Sequence, residues 1–464
     1  MLTGTSTTSI LHRPHYTPGG SRKRSKRSGR FSRPVYSLSR IGPFEPLGHT
    51  QFQHYTVAAT LGFTAFFVQM LVRGWLVNEL TNSPLQVSLV PVLLMAPMLV
   101  FTLVGGELSD RFRRPRVIMI TSSVIALTYV AATVLLLTDL VQSWHLLLLT
   151  GIHGIAGALE GPSRQSLVGD LVRPRLQRVA IGLSPAIFNV AQIIGPLIGG
   201  VILASAGADA AAIMSVVLLV ISIPIYARLK PVAKSRIGGH APFLRSVRDG
   251  ARYVFGHPEL RWYLLAGFVL VITANTWGAL FPPLAKEVLG RGAGGLATLQ
   301  VAVGIGALAG AVVTVPLGAR YGEKKLEVVS GFAFAAMLGA LAASQIFILS
   351  VVIVALGAAF ATFYFVTNMI AMQMTADPEY RSRVISVRFI MFGFSPFGMI
   401  ALGALAEYFG TQVAMGVIAA TAAVLLAGVT LMFRTASPAP LESRPAVTGD
   451  STAPQSSLTG PAPR

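Results

Sequence analysis

The chain has 464 residues, of which 53% are hydrophobic and 12% are charged. An ordinary water-soluble domain is about one quarter charged, so this composition excludes that class of protein. The formal net charge is +19, but nine basic residues lie in the first 40 residues and most of the others lie in short breaks between apolar runs, which argues against nucleic-acid binding. Cysteine is absent, so disulfides and thiolate metal sites are excluded.

Twelve apolar runs are each long enough to form a membrane-crossing helix, which needs about 20 such residues. We number them spans 1 to 12, and they lie near residues 54–80, 84–106, 117–138, 144–163, 179–204, 209–228, 261–286, 295–318, 326–345, 347–375, 382–405 and 411–433. The alternating pattern of a membrane barrel is absent from the sequence. The sequence therefore predicts an all-α integral membrane protein with twelve transmembrane helices in two pseudo-symmetric six-helix bundles.

Composition divides the chain into five parts, with a bundle on either side of the longest internal break. Residues 1–51 are rich in Ser, Arg, Pro and Gly, which predicts a disordered basic cytoplasmic tail, with an organelle transit peptide as the alternative. The other predicted parts are an N-terminal bundle, a cytoplasmic central loop, a C-terminal bundle and a second disordered cytoplasmic tail, at 52–229, 230–260, 261–433 and 434–464.

Lysine and arginine are distributed unequally among the breaks. The breaks after spans 2, 4, 6, 8 and 10 are basic, whereas those after the odd-numbered spans contain only Lys286 and Arg291. Because cytoplasmic loops are enriched in these residues, both termini are predicted to lie in the cytoplasm of a cell whose plasma or inner membrane the chain crosses many times.

A repeated pattern near the inner ends of spans 2 and 8 indicates internal symmetry, which is typical of secondary transporters. Residues 106–116 read GELSDRFRRPR and residues 317–325 read LGARYGEKK. The first segment resembles motif A of the major facilitator superfamily, with Arg113 in place of a glycine and Pro115 in place of a basic residue. The second copy has Ala319 where the motif has aspartate.

Three further segments resemble the enterobactin-exporter branch of that superfamily, which is similar to drug–proton antiporters. They lie at the end of span 1, the end of span 4 and the start of span 11, at residues 74–85, 161–167 and 377–384. The resemblance covers residues 52–433 and implies a secondary active transporter without a cofactor. Enzyme activity is not predicted, because the sequence lacks an ATP-binding loop, a metal-binding His-Glu-x-x-His helix and a nucleophile elbow.

Span 5 carries a pattern that resembles the antiporter motif, with Ala191 where the motif has its second glycine. The matching residues are Gly182, Gly195, Pro196, Gly199 and Gly200. Small residues let helices approach closely and proline permits a bend, so simple helix packing is the alternative explanation. The resemblance favours export.

The resemblance also implies a cytoplasmic gate. Its candidate residues are Gly106, Asp110, Arg111, Arg114, Glu160 and Arg164. In the family, the aspartate of motif A faces the positive N-terminal end of span 11, and a motif arginine pairs with an acid near the inner end of span 4. We therefore expect Asp110 to face the helix that begins around residues 377–383, and Arg114 to pair with Glu160. The alternative is that the Asp110 loop only sets the topology.

His153 and Glu160 are the only deep titratable side chains that the sequence identifies, so they are the candidate proton carriers. A buried histidine is also common as a hydrogen-bonded core residue. Arg73, near the outer end of span 1, either extends to the interface or lines a substrate cavity and attracts anionic or carbonyl-bearing compounds. The resemblance to the family implies that protons drive transport.

In this fold, spans 1, 4, 7 and 10 line a central cavity, which span 5 also approaches. The candidate cavity residues are Gln69, Arg73, His153, Asn189, Asn275, Trp277, Tyr364 and Asn368. A mostly apolar wall with scattered amides fits an amphipathic small molecule, although each residue alone is also typical of hydrogen bonding between helices. The sequence thus predicts a monomer in the lipid bilayer that exports drug-like or siderophore-like compounds. A nutrient uptake symporter, a lipid flippase and a non-transporting sensor are the alternatives.

Overall fold

A computed structural model of the chain describes residues 45–230, 243–377 and 380–434. Within these ranges every regular element is a helix, which confirms the predicted all-α class. The predicted tails fall outside the described residues except for their innermost positions. The described helices all belong to one compact unit of the chain.

The first half of the chain contains six helices. They are α1 (Thr50–Thr81), α2 (Pro84–Met95), α3 (Met98–Arg111), α4 (Arg114–Leu137), α5 (Ser143–Asp170) and α6 (Gln177–Ala227). Span 2 is divided between α2 and α3, and Pro97 stands immediately before α3. Proline lacks a backbone N–H and so interrupts the helical hydrogen-bond ladder at this position.

Helix α6 is 51 residues long and contains both span 5 and span 6. Gly207 lies inside it with φ 84° and ψ 176°, which is not a helical conformation. Glycine adopts a positive φ without steric cost because it has no Cβ. The two predicted spans therefore meet at a single glycine in the break between them.

The second half contains nine helical segments. They are α7 (Phe243–Gly256), α8 (Pro258–Ala274), α9 (Phe281–Pro283), α10 (Gly292–Tyr321), α11 (Glu323–Ala343), α12 (Phe347–Thr375), α13 (Arg381–Phe392), α14 (Ser395–Phe409) and α15 (Thr411–Arg434). A 3-10 turn, Trp277–Leu280, precedes α9 and a π turn, Leu284–Val288, follows it. Span 7 is thus irregular around its two prolines, and span 11 is broken between α13 and α14.

Nine helices of the described residues are long and apolar enough to cross a membrane. One of them contains both span 5 and span 6. Spans 4 and 11 are not among the nine, since α5 carries His153 and Glu160, and α13 and α14 are short separate helices. The count of twelve crossings stays a prediction.

The predicted central loop, 230–260, contains α7 and the start of α8. Residues 231–242 of that loop lie outside the described part of the chain. The largest buried apolar cluster joins α1 and α6 of the first half to α10, α11, α12, α14 and α15 of the second half. Packing across this cluster holds the two halves together.

Candidate substrate and gating sites

Glu160 on α5 is buried in a polar cluster between α4 and α5. Its Oε1 accepts a hydrogen bond from Nε of Arg164 at 2.9 Å, and a second guanidinium nitrogen of Arg164 also pairs with it. Its Oε2 accepts hydrogen bonds from the hydroxyls of Thr121 at 2.8 Å and Ser122 at 2.9 Å. Both carboxylate oxygens therefore have donors, as a buried charge requires.

Arg164 links this carboxylate to two further helices. Its guanidinium donates to the hydroxyl of Tyr226 near the end of α6. The guanidinium carbon lies 4.9 Å from the ring centre of Phe63 on α1 and 5.1 Å from that of Tyr226. Stacking on aromatic faces stabilises a cation in an apolar setting. The Glu160–Arg164 pair thus joins α1, α4, α5 and α6.

The predicted pair between Arg114 and Glu160 is wrong. Arg114, the first residue of α4, pairs with the carboxylate of Asp170 at the end of α5 and donates to the backbone oxygen of Ser166 at 3.2 Å. Arg164 lies four residues from Glu160 on the same helix and already occupies that carboxylate. Asp170 is not among the predicted gate residues, although it lies at the end of α5, close to the start of α4.

The other gate candidates make fewer contacts among the described residues. Arg111 forms an exposed ion pair with Glu107 at 3.3 Å, and a Cβ added to Gly106 would meet no atom within 4 Å. Gly105 makes the close helix contact, since a Cβ there would lie 2.7 Å from the backbone oxygen of Leu159. The side chain of Asp110 lies outside those that the structure describes, so its contact with the start of span 11 stays a prediction.

Arg73 on α1 is 1% exposed, so it does not extend to the membrane interface. Its guanidinium donates to the hydroxyls of Thr150 at 3.1 Å and Thr128 at 3.4 Å, and lies 5.3 Å from the ring centre of Tyr129. No carboxylate in the described parts of the chain lies within 4.0 Å of it. Arg73 therefore carries a buried charge, and the groups described within hydrogen-bonding distance of it are neutral.

His153 lies beside this group. Its ring packs edge to face against Tyr129, with 5.4 Å between ring centres, and against Phe66 at 5.8 Å. Gln69, one turn before Arg73, accepts a hydrogen bond from the hydroxyl of Ser215 at 2.7 Å. The structure thus brings Arg73 and His153 together on Tyr129, whereas Gln69 fixes α1 to α6.

The candidates from spans 5, 7 and 10 have different roles. The hydroxyl of Tyr364 donates to the backbone oxygen of Ala266 at 2.7 Å, and Trp277 packs edge to face in the apolar cluster between the two halves. Asn275 is exposed at the end of α8, and Asn189 is half-buried on α6. Tyr364 and Trp277 therefore serve helix packing in this arrangement.

Asn368 is the centre of a second buried polar cluster. Its Nδ2 donates to the backbone oxygen of Tyr263 at 2.7 Å and to Oε1 of Glu327 at 2.8 Å. Its Oδ1 accepts a hydrogen bond from Nε of Arg388 at 3.0 Å. Glu327 is 0% exposed, so the expectation that His153 and Glu160 are the only deep titratable groups is wrong. Because α11 begins at residue 323, Glu327 lies a full turn inside the helix.

Two glycines of the antiporter motif lie against α1. A Cβ added to Gly195 would be 2.6 Å from the Cβ of Phe67, and one added to Gly199 would be 2.9 Å from a methyl carbon of Val68. Such distances are shorter than carbon atoms tolerate, so only glycine permits this approach of α6 to α1.

The remaining motif residues differ from one another. A Cβ at Gly200 would lie 1.9 Å from the Cβ of Ala297 on α10, so this glycine permits contact between the two halves. Pro196 is buried within α6, and a Cβ at Gly182 would meet no atom within 4 Å. The close contacts are thus confined to the second part of the motif.

Polar contacts also join the two halves at the ends of helices that are predicted to face outward. Glu407 on α14 accepts hydrogen bonds from the hydroxyl of Ser83 at 2.7 Å and the backbone N–H of Leu85 at 3.2 Å, at the start of α2. Lys286 pairs with Glu79 near the end of α1 at 3.0 Å. A carboxylate at a helix N-terminus is stabilised by the helix dipole.

No three His, Asp or Glu side chains within the described ranges are grouped in a way that could hold a metal ion. The candidate sites therefore offer buried carboxylates at Glu160, Asp170 and Glu327, the buried arginine Arg73 with its aromatic neighbour, and a glycine-lined interface.

Comparison with known sequences gives a consistent family. The profile of the family described as "transmembrane secretion effector", MFS_3, matches residues 41–454. The Staphyloferrin A transporter of Staphylococcus aureus is 22% identical over 366 residues, which are 77% of this chain and 90% of that protein. The multidrug efflux pump Tap of Mycolicibacterium fortuitum is 26% identical over 387 residues, which are 79% of this chain and 91% of that protein.

Solved structures with similar folds are also membrane transporters. The nucleoside transporter NupG superposes with a TM-score of 0.67 at 16% identity, over 83% of this chain and 99% of its own. A bacterial homologue of the human lysosomal transporter Spinster superposes with a TM-score of 0.65 at 15% identity, over 86% of this chain and 100% of its own. At these identities the likeness shows the fold.

Proposed function

This chain belongs to the transmembrane secretion effector family of the major facilitator superfamily, and we propose that it exports amphipathic small molecules from the cytoplasm in exchange for protons. Like its relatives, it is a multi-pass membrane transporter and not an enzyme. The proposal adds a direction, a coupling ion and a substrate class, with both termini in the cytoplasm, the plasma or inner membrane as location and a monomer as the working unit.

The buried guanidinium of Arg73 is the observation that carries the substrate class. A charge inside a membrane protein is costly unless a partner compensates it, and Arg73 has hydroxyl partners and an aromatic face. A substrate with an anionic or carbonyl group would compensate this charge, while Tyr129 and Phe66 beside His153 offer apolar contacts. Arg73 is closed off in this arrangement, so substrate reaches it in another state of the transport cycle.

The contacts between the halves support alternating access. Gly200 meets Ala297, and Glu407 binds the start of α2, and these contacts lie near the ends of spans that are predicted to face outward. This arrangement therefore corresponds to a state with a closed outer side. For export, the halves separate there after substrate has bound from the cytoplasm. The interaction between a carboxylate and a helix end contributes about 0.3 to 2 kcal/mol, which is weak enough to break during the cycle.

The direction of transport is supported by similarity and by sequence. The relative named Tap is a multidrug efflux pump, and the motif from Gly182 to Gly200 resembles that of antiporters. His153 and Glu160 remain candidates for proton coupling. Both oxygens of Glu160 already accept hydrogen bonds, whereas His153 packs against the ring of Tyr129 beside Arg73. A proton on His153 would therefore displace fewer hydrogen bonds than a proton on Glu160.

Dye accumulation in intact cells tests the proposal. Cells that express the chain should accumulate less ethidium, an amphipathic cation, or less sulforhodamine, an amphipathic anion, than cells without it. A protonophore should abolish the difference. Arg73→Ala should weaken export of the anion more than that of the cation, and Arg291→Ala, at an exposed arginine on the predicted outer side, serves as the matched control.

Two outcomes would contradict the proposal. If collapse of the proton gradient lowers accumulation in expressing cells, the chain imports its substrate. If the protonophore has no effect on either dye, protons do not drive the transport.

A further inference from the structure

Glu327 differs from Glu160 in how its carboxylate oxygens are satisfied. Its Oε1 accepts one hydrogen bond, from Asn368 at 2.8 Å. Its Oε2 is buried and has no hydrogen-bond partner among the described residues. A buried carboxylate oxygen without a donor costs free energy when it carries charge, whereas a proton on that oxygen neutralises the charge and so lowers the cost.

We propose that Glu327 is the proton carrier of the second half of the transporter, and that Arg388 displaces its proton when α13 moves. This inference rests on the proposed proton-driven export and assigns the coupling site within it. In the present arrangement the amide of Asn368 lies between the two residues, since it donates to the carboxylate of Glu327 and accepts from the guanidinium of Arg388. The proton is held at Oε2.

The surroundings of Glu327 contain few other charges. Lys324 lies one turn earlier on the same helix, with its Nζ 5.2 Å from the ring centre of Trp262, and Arg388 approaches from α13. Tyr364 of α12 and Tyr263 of α8 are the neighbouring phenols. Helix α15, which also packs on α11, has no titratable residue before its last position. Arg388 is therefore the cation best placed to act across a helix interface.

The proposed movement of α13 uses the interruption of span 11 between α13 and α14. Helix α13 ends at Phe392 and α14 begins at Ser395, with Gly393 and Phe394 between them. Two residues beyond α12, Asp377 accepts a hydrogen bond from the hydroxyl of Tyr253 on α7 at 2.9 Å, and the ring of Tyr253 stacks on Tyr380 at 4.2 Å. Helix α7 therefore docks beside the start of α13 and can move with it.

In each cycle the carboxyl group of Glu327 is neutralised either by a bound proton or by the positive charge of Arg388. In the outward-open state, water on the outer side supplies the proton that binds Oε2. In the inward-open state, α13 turns, the Nε of Arg388 leaves Asn368, and the guanidinium pairs with the carboxylate. The O–H bond breaks and the proton passes to water on the cytoplasmic side, so the cycle moves one proton inward.

Glu160 is a poorer carrier by the same reasoning. Its two oxygens already accept hydrogen bonds from Arg164, Thr121 and Ser122. A proton on either oxygen would replace at least one of these contacts. Its cation is on the same helix, four residues away, so movement of one helix past another does not separate the pair.

The experiment uses the full chain, purified and reconstituted in vesicles that are acidic inside. Each proton exchanged per substrate molecule supports about tenfold accumulation of the substrate inside the vesicles per pH unit of gradient. Ethidium and sulforhodamine are the substrates whose accumulation is measured. Glu327→Gln is expected to abolish accumulation above equilibrium while downhill dye movement persists. Glu323→Gln, one turn earlier on α11 and half-buried, is the matched control and should accumulate dye as the wild type does.

Infrared spectroscopy gives a measurement that does not depend on the dye. A pH titration of the wild type should show the loss of a protonated carboxyl band, and Glu327→Gln should lack that band. Arg388→Gln should keep the band but lose proton release during transport. Downhill dye movement and the unfolding temperature of each variant report whether it is folded.

The outcomes separate the two proposals. If the wild type shows no accumulation driven by the pH gradient, proton-driven export is wrong. If the wild type accumulates dye and Glu327→Gln does so equally, or if the carboxyl band survives in Glu327→Gln, the assignment of the carrier to Glu327 is wrong while the proposed function stands.

Discussion

A disulfide between the two halves would test whether their predicted outer ends must separate during transport. A Cβ added to Gly294 on α10 would lie 3.7 Å from the Cβ of Ala204 on α6. The mean separation across a disulfide is about 3.8 Å. The pair Ala204→Cys and Gly294→Cys should therefore cross-link, and the natural chain contains no cysteine that could compete.

The size of the effect follows from this geometry. A disulfide keeps the two Cα atoms within about 7 Å of each other, which forbids the separation that an outward-open state requires. The cross-link closes a loop of about 90 residues, for which the chain-entropy model gives about 4 to 5 kcal/mol of added stability against unfolding. We therefore expect transport to fall to background while the unfolding temperature rises.

The assay compares dye efflux from one preparation before oxidation, after mild oxidation and after reduction. Efflux should disappear on oxidation and return on reduction, and cross-linking is followed by the change in mobility on a gel. Each single-cysteine variant should keep its efflux under oxidation, which controls for the oxidant. Full transport by the cross-linked protein would refute the reasoning, because the outer ends would then not need to separate.

Three further predictions concern contacts within the membrane domain. Arg114→Gln and Asp170→Asn should each lower stability by about 3 to 5 kcal/mol, and exchange of the two residues should restore part of it, as measured by thermal unfolding. Gly200→Leu should abolish folding or transport in a dye-efflux and expression assay, whereas Gly182→Leu should be tolerated, because its Cβ meets open space. Glu407→Gln should weaken the contact that closes the outer side by about 0.3 to 1 kcal/mol and so lower the cross-linking yield of the cysteine pair.

The helices could largely be predicted from hydropathy, but their interruptions could not all be placed. Proline marks the break before α3, where Pro97 could have been read as a helix boundary. The junction inside α6 depends on Gly207, and a glycine between two apolar runs is equally compatible with a loop. Hydropathy reports the apolar length of a segment, whereas the conformation of a single glycine depends on its tertiary contacts.

The candidate residues were easier to predict than their partners. Arg114 and Glu160 are both buried and paired, yet with Asp170 and Arg164 and not with each other. A motif shared with a family indicates which residue types are present, but the pairing depends on helix length and rotation. Glu327 was missed because it lies near the end of a predicted span, where a charge is usually assigned to the interface.

Glu160 and Glu327 differ in a way that bears on energy coupling. Glu160 is bound by an arginine of its own helix, so the pair moves as one rigid group when helices shift. Glu327 and Arg388 both bind Asn368, and these three residues belong to three different helices. A change in the packing of α11, α12 and α13 must therefore alter the electrostatic surroundings of Glu327 while leaving those of Glu160 nearly constant. A group that couples proton binding to conformation requires such a difference between states, and an ion pair within one helix does not supply it.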